Sequence, residues 1–146
     1  MTTLYDTDFV AWTQRNAELL RAKRFEEVDF ENVAEEIESL GKNHQRELKS
    51  RIAEILEHLI KLSFAPMFEK ERNEGGWTNS VRKQQAGVAE VLEISPSLRR
   101  CLSDEMLRRC YRTASRQVKT ADFAMLTHPP EECPFTWEEI LGEEGK

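Results

Sequence analysis

An all-α fold, a helical bundle built on one long helix over about residues 30–63 with shorter helices packed along it, is what this sequence predicts. Three observations carry that expectation. "ENVAEEIESLGKNHQRELKSRIAEILEHLIK" holds no proline, one glycine and few β-branched residues. Phe30, Val33, Ala34, Ile37, Leu40, Leu48, Ile52, Ile55, Leu59 and Leu62 fall on one broad face at 100° per residue. No stretch alternates apolar and polar residues with the period of two that a half-buried strand requires.

The elements follow in order. Asp6 or Thr7 is placed to cap a first helix, with Asp8 favourable beside its positive end, and Phe9, Trp12, Leu19 and Leu20 share one side of it. Asp29 caps the long helix, with Val28 and Val33 at the positions of a hydrophobic staple. Gly41 and Asn43 offer a break, but the apolar stripe keeps its phase across them, so one rod of roughly 50 Å is expected. "FAPMFEKERNEGGW" reads as an irregular stretch in which Pro66 ends the rod and Gly75-Gly76 turn the chain. A third helix is expected after Trp77, with Val81, Val88 and Leu92 on its inner face.

"ISPSL" restarts the chain with Ser95 as cap and Pro96 in the first helical position, where a missing N–H costs nothing. Leu107, Cys110, Tyr111, Ala114 and Val118 form a stripe out of phase with Leu98 and Leu102, so a break is placed near Ser103-Asp104. In the tail, Thr136 and Glu139 form a capping box, and Phe135 with Ile140 forms its staple. At 146 residues the chain is expected to be one helical domain over 1–146, with a proline-rich segment 127–146 packed on it.

Composition bounds the function. A hydrophobic fraction of 39% is too high for full disorder, and a net charge of -6 draws the chain to neither nucleic acid nor anionic lipid as a whole. The opening residues lack the basic and apolar regions of a secretory signal, and no apolar run reaches the ~20 residues that span a bilayer. A cytoplasmic protein with no membrane contact is expected. Cys101, Cys110 and Cys133 form no C-x-x-C pair, so neither a disulfide framework nor a zinc module is indicated. No cofactor is expected.

Charge is nonetheless segregated. From Glu26 to Glu47 eight acids face Lys42 and Arg46, while from Ser97 to Thr120 seven bases face Asp104 and Glu105. Arg108, Arg112 and Arg116 form an i,i+4 ridge, with Lys119 close to its line, opposite the apolar stripe of their helix. Such a ridge suits carboxylates or phosphates, which guanidinium binds bidentately. On the long helix, Glu31, Glu35 and Glu38 share one side and need a cation or arginines.

Three polar residues stand on apolar faces. Asn16 lies between Trp12 and Leu19, His44 between Leu40 and Leu48, and Gln85 between Val81 and Val88. Asn16, His44 and Gln85 are candidates for one buried hydrogen-bond network that fixes register. His58 lies at the edge of the stripe with Glu54 at i−4, and no nucleophile stands at a recognisable spacing. His44 and His58 are roughly 20 Å apart along the rod, too far to share one metal.

"YDTDFVAW", "VDFENVAEEIESLG", "HLIK", Trp77, "SPSL" and "PPEECPFT" occur in this order and spacing. Together they resemble the domain of unknown function family twenty-nine, an all-helical bacterial group with no established activity. The resemblance covers nearly the whole chain. It points to Tyr5, Asp8, Trp12, Glu35, Glu36, Glu38, His58, Lys61, Trp77, Cys133 and Pro134. The sequence departs from the family at Gln85, where an arginine usually follows the glutamine, and at Pro129, where an aromatic usually stands. The missing arginine leaves Arg82, one turn earlier, as its substitute.

The leading functional expectation is a non-enzymatic protein-interaction module, whose exposed charged faces engage a partner protein or a second copy. A metal-assisted hydrolase or nuclease using Glu35, Glu38 and His58 around a divalent cation is the rival, and Glu35, Glu38, His58, Lys61, Trp77 and Arg82 are the candidate functional cluster. Nucleic-acid binding through Arg108, Arg112 and Arg116 is the third reading.

Overall fold

The structure, a computed structural model, describes residues 3–143 apart from 121–128. The start of the proline-rich segment and the last residues, 144–146, thus lie outside the described residues. Helices α1 (Leu4–Thr7), α2 (Phe9–Arg21), α3 (Phe30–Phe64), α4 (Met67–Ile94), α5 (Asp104–Thr120) and α6 (Trp137–Leu141) follow one another. Single 3₁₀ segments lie at Phe25–Glu27 and Pro96–Cys101, and no strand occurs among the described residues. The fold is all-α, with a very long α3 and shorter helices packed against it. No helix among the described residues is long and apolar enough to cross a membrane.

The chain divides into two compact units, residues 1–43 and 44–146. In the smaller one the start of α2 corrects the sequence expectation: Asp8, not Asp6 or Thr7, caps this helix, its Oδ1 accepting the Ala11 N–H at 3.0 Å. The single turn of α1 precedes it, with the Thr3 N–H donating to Asp6 Oδ2. Trp12, Leu19 and Val28 are buried, whereas Phe9 and Leu20 are exposed. Phe9 still stacks on Trp12, which meets Tyr5 edge-on at 4.9 Å between centroids. Asp29 caps α3 as its position predicts, accepting from the Asn32 backbone at 3.4 Å. Its carboxylate also takes the Asn32 amide at 2.8 Å and the Trp12 indole at 3.0 Å. These bonds, the Asn32 amide foremost, hold the Asp29 carboxyl below its ordinary value.

α3 runs unbroken through Gly41, as the phase of the stripe predicts. The stripe itself has two fates. Leu48, Ile52 and Ile55 are fully buried in the larger unit, but Phe30, Ile37 and Leu40 are exposed, Ile37 at 63% and Leu40 at 64%. Periodicity identifies a shared face and is silent on what covers it.

The larger unit holds the main core. Leu48, Ile52, Ile55, Leu56 and Ile60 of α3 pack with Val81, Val88, Val91 and Leu92 of α4, with Met106, Cys110, Tyr111, Ala114 and Val118 of α5, and with Phe135 and Ile140 of the tail. The expected irregular stretch before Trp77 is instead helix: α4 continues through Gly75-Gly76. The two glycines cost about 1 kcal/mol each relative to alanine. They face open space, so no neighbour forces a turn there, and Trp77 and Val81 anchor the following turns by burial. Pro66 does end α3, and it stands as the N-cap residue of α4. Pro96 opens its short helix as expected, but the Ser95 side chain makes no capping bond. The Ser103 hydroxyl accepts the Met106 N–H at 3.2 Å where α5 begins, the position of the predicted break.

The tail returns to this core. Thr136 caps α6, accepting the Glu139 N–H at 3.2 Å. Gly142 ends the helix with φ of +72°, a conformation that suits glycine. Gln85 of α4 donates its amide to the Ile140 carbonyl at 3.1 Å and the Glu139 carbonyl at 3.3 Å. A neighbouring helix thereby supplies a donor to the Ile140 carbonyl and a further one to the Glu139 carbonyl, which also accepts the Gly142 N–H at 3.4 Å.

Candidate functional site

α5 is strongly amphipathic. Met106, Cys110, Tyr111, Ala114 and Val118 go into the core, and this burial turns Arg108, Arg112 and Arg116 outward on the opposite side. The three guanidinium groups form one wall of a cleft of about 560 Å³, with Lys119 at its end. Leu107 and Tyr111 contribute apolar surface, and Pro129 to Cys133 line the cleft beyond them. The Tyr111 hydroxyl ties this returning segment to α5 by donating to the Pro130 carbonyl at 2.5 Å. Burial pushes the Tyr111 phenol up, against a lowering effect of Ser115, and pushes the Cys133 thiol up as well.

The neighbouring Arg109 is committed to Glu105 at 2.7 Å. Arg108, Arg112 and Arg116 make no ion pair among the described residues. Asp104, Glu131 and Glu132 also line the cleft. It therefore presents both signs of charge, with the cations in one continuous row.

The other candidate residues are placed differently. Glu35 and Glu38 are exposed on the first turns of α3. Between them, Glu36 accepts a hydrogen bond from the Tyr5 hydroxyl. That bond, with desolvation and the charges of Glu36, Glu35 and Asp6, pushes the Tyr5 phenol up to about 12. His58 engages the Glu54 backbone carbonyl through Nδ1 at 2.9 Å. Lys61 is buried and pairs with Glu57 at 3.2 Å. Trp77 is buried and Arg82 is exposed. Among the described residues, no three His, Cys, Asp or Glu side chains converge to hold a metal ion.

Arg82 makes no ion pair among the described residues. Further along α3, Glu47 and Glu54 are met by Arg51 and Gln84. Arg51 pairs with Glu47 at 3.0 Å and donates to Gln84 Oε1 at 2.9 Å, and Gln84 Nε2 donates to Glu54 at 2.7 Å. The Arg51 guanidinium lies over Gly87, where its Cζ would stand 2.6 Å from a Cβ. The absence of a side chain at 87 is what admits it. Sequence reasoning missed this pair. The one available signal was Gln84 itself, a second polar residue beside Gln85.

The expected network of Asn16, His44 and Gln85 is also corrected. Asn16 donates to the Trp12 carbonyl at 3.0 Å and accepts the Asp29 N–H at 2.8 Å. Gln85 serves α6. His44 Nδ1 is buried and finds no hydrogen-bond partner among the described residues. Asn16 thus spends a donor and an acceptor on backbone of residues 1–43, and Gln85 spends its amide nitrogen on α6.

A family model described as "Domain of unknown function DUF29" matches residues 4–144. The chain belongs to this family. The DUF29 match takes in every helix from α1 to α6 and both compact units. No curated protein and no solved structure matches the chain. The DUF29 description carries no activity.

Proposed function

We propose that the chain is a non-enzymatic protein-interaction module whose α5 cleft takes an acidic segment of a protein partner. The observation that carries this reading is the row of Arg108, Arg112 and Arg116 along one wall of the 560 Å³ cleft. Guanidinium groups at successive turns stand roughly 6 Å apart along the helix, a repeat that an acidic segment can match. Leu107 and Pro129 add apolar contact beside the charges. Steering by the arginines would speed encounter, and the apolar surface would slow release.

Nucleic acid fits less well. A phosphate backbone carries a charge at every nucleotide and so cannot avoid Asp104, Glu131 and Glu132, whereas a peptide can set neutral residues opposite them, and the chain as a whole carries -6. Metal-assisted hydrolysis has no observation in its favour: among the described residues no group of three or more His, Cys, Asp or Glu is placed to hold a metal ion.

Fluorescence anisotropy of a labelled peptide alternating glutamate and leucine tests the reading. Saturable binding that weakens with salt is expected, together with its loss in R108E/R112E/R116E. A peptide that fails to bind, or that binds the triple variant equally well, overturns it. Tighter retention of duplex DNA or RNA than of the peptide would transfer the cleft to nucleic acid.

A further inference from the structure

The uncovered half of the α3 stripe lines no part of the α5 cleft. Phe30, Ile37 and Leu40 project from the first turns of α3, each more than half exposed. Along one border of this apolar face run Glu31, Glu35 and Glu38, all exposed. Exposed apolar surface of this kind marks an interaction site, and its border selects the partner by charge. The partner must offer apolar contact edged by a row of cations. This chain carries such a surface: Leu107 and Pro129 beside Arg108, Arg112 and Arg116.

Dimensions agree as well. Phe30 to Leu40 spans roughly 15 Å of helix, and Arg108 to Arg116 spans roughly 12 Å. Glutamates at i, i+4 and i+7 follow nearly the same pitch as arginines at i, i+4 and i+8.

We infer that the first turns of α3 in one copy dock, apolar face and acidic border together, on the arginine-lined cleft of a second copy. The exchange is reciprocal, so that each copy gives one helix face and receives another. Reciprocity closes the assembly as a two-fold dimer and doubles the buried surface. The inference rests on the reading that the cleft accepts acidic protein segments, and it names the source of the segment.

Sedimentation velocity of the full chain decides it. The wild type should sediment as a dimer. E31R/E35R/E38R and R108E/R112E/R116E should each be monomeric, because each places like charges across both contacts, weakening association by about 100-fold or more. An equimolar mixture of the two should recover the dimer, since both contacts are again between opposite charges. All six positions are exposed, and circular dichroism verifies that each variant keeps its helices. As a second arm, I37S/L40S should also be monomeric without any change of charge. A wild type that stays monomeric, single variants that stay dimeric, or a mixture that fails to associate overturns the inference. A monomeric wild type that still binds the glutamate–leucine peptide removes only the second copy as partner. Failure of both removes the cleft reading too.

Discussion

Residues 1–43 bury Trp12, Asn16, Leu19 and Val28 and leave Leu4, Phe9, Val10, Leu20, Phe25, Phe30, Ile37 and Leu40 exposed. Residues 44–146 do the reverse, closing three helices and a tail over a continuous core and exposing Met67, Phe68 and Ile94. The same apolar stripe of α3 therefore serves opposite ends in the two units. In the larger it is structural; in the smaller it is surface. The difference follows from size, because a segment of some 40 residues cannot enclose much of its own apolar area. The smaller unit compensates with the polar bonds around Asp29, which fix the entry to α3 without requiring a large core.

The comparison is tested most sharply by equal truncations on the two halves of the stripe. Ile52→Ala should destabilise the larger unit by about 2–5 kcal/mol, the cost of an unfilled core site. Ile37→Ala should change stability by no more than about 0.5 kcal/mol. Urea unfolding followed by circular dichroism measures both, and similar losses at the two positions would erase the distinction between the units. The measurement belongs at a protein concentration where both variants have the same oligomeric state, because association adds its own stability.

A smaller effect is expected at Gly142. Alanine there must adopt φ of +72°, and its Cβ would meet the Gln85 amide at 2.8 to 3.0 Å. The loss should be about 1–3 kcal/mol, and hydrogen exchange should place it in α6 and not in residues 1–43. Gln85→Ala, which removes the obstruction but also the cap, should not restore the wild-type value.

The smallest effect concerns pH in the smaller unit. Tyr5 has its phenol raised from 10.0 to about 12, so its neutral form is favoured by folding. Its contribution is complete below pH 10 and is lost as pH rises from there through about 12. Ultraviolet titration should show a tyrosine step near pH 12 that is absent in Tyr5→Phe and moves down in Glu36→Ala. A step that stays in place in Glu36→Ala would mean that the hydroxyl of Tyr5 is not held by Glu36.

Much of the fold was legible in the sequence because helices announce themselves by phase. The stripe crossing Gly41 argues for one rod, and an open-sided glycine tolerates it. Gly75-Gly76 misled for a complementary reason: local propensity argued for a break, while burial of Trp77 and Val81 further along held the helix together. The arginine row was legible from its four-residue repeat. The opposite wall of its cleft was not, because Pro129 to Cys133 reach α5 through tertiary contacts such as the bond from Tyr111 to Pro130. Arg51 and Gln84 were hidden likewise, since residues 33 apart meet only after the chain reverses at Pro66. Sequence spacing reports on neighbours along one helix, and pairs across helices escape it.

The bond from Gln85 to the end of α6 has a consequence for the order of assembly. Five residues are too few to nucleate a helix in water, whatever their caps. α6 can thus persist only against a surface that already exists, and the amide awaiting it sits in the middle of a helix made earlier. The tail adds Phe135 and Ile140 to the core as it docks, so its ordering should report that α3, α4 and α5 are already packed together.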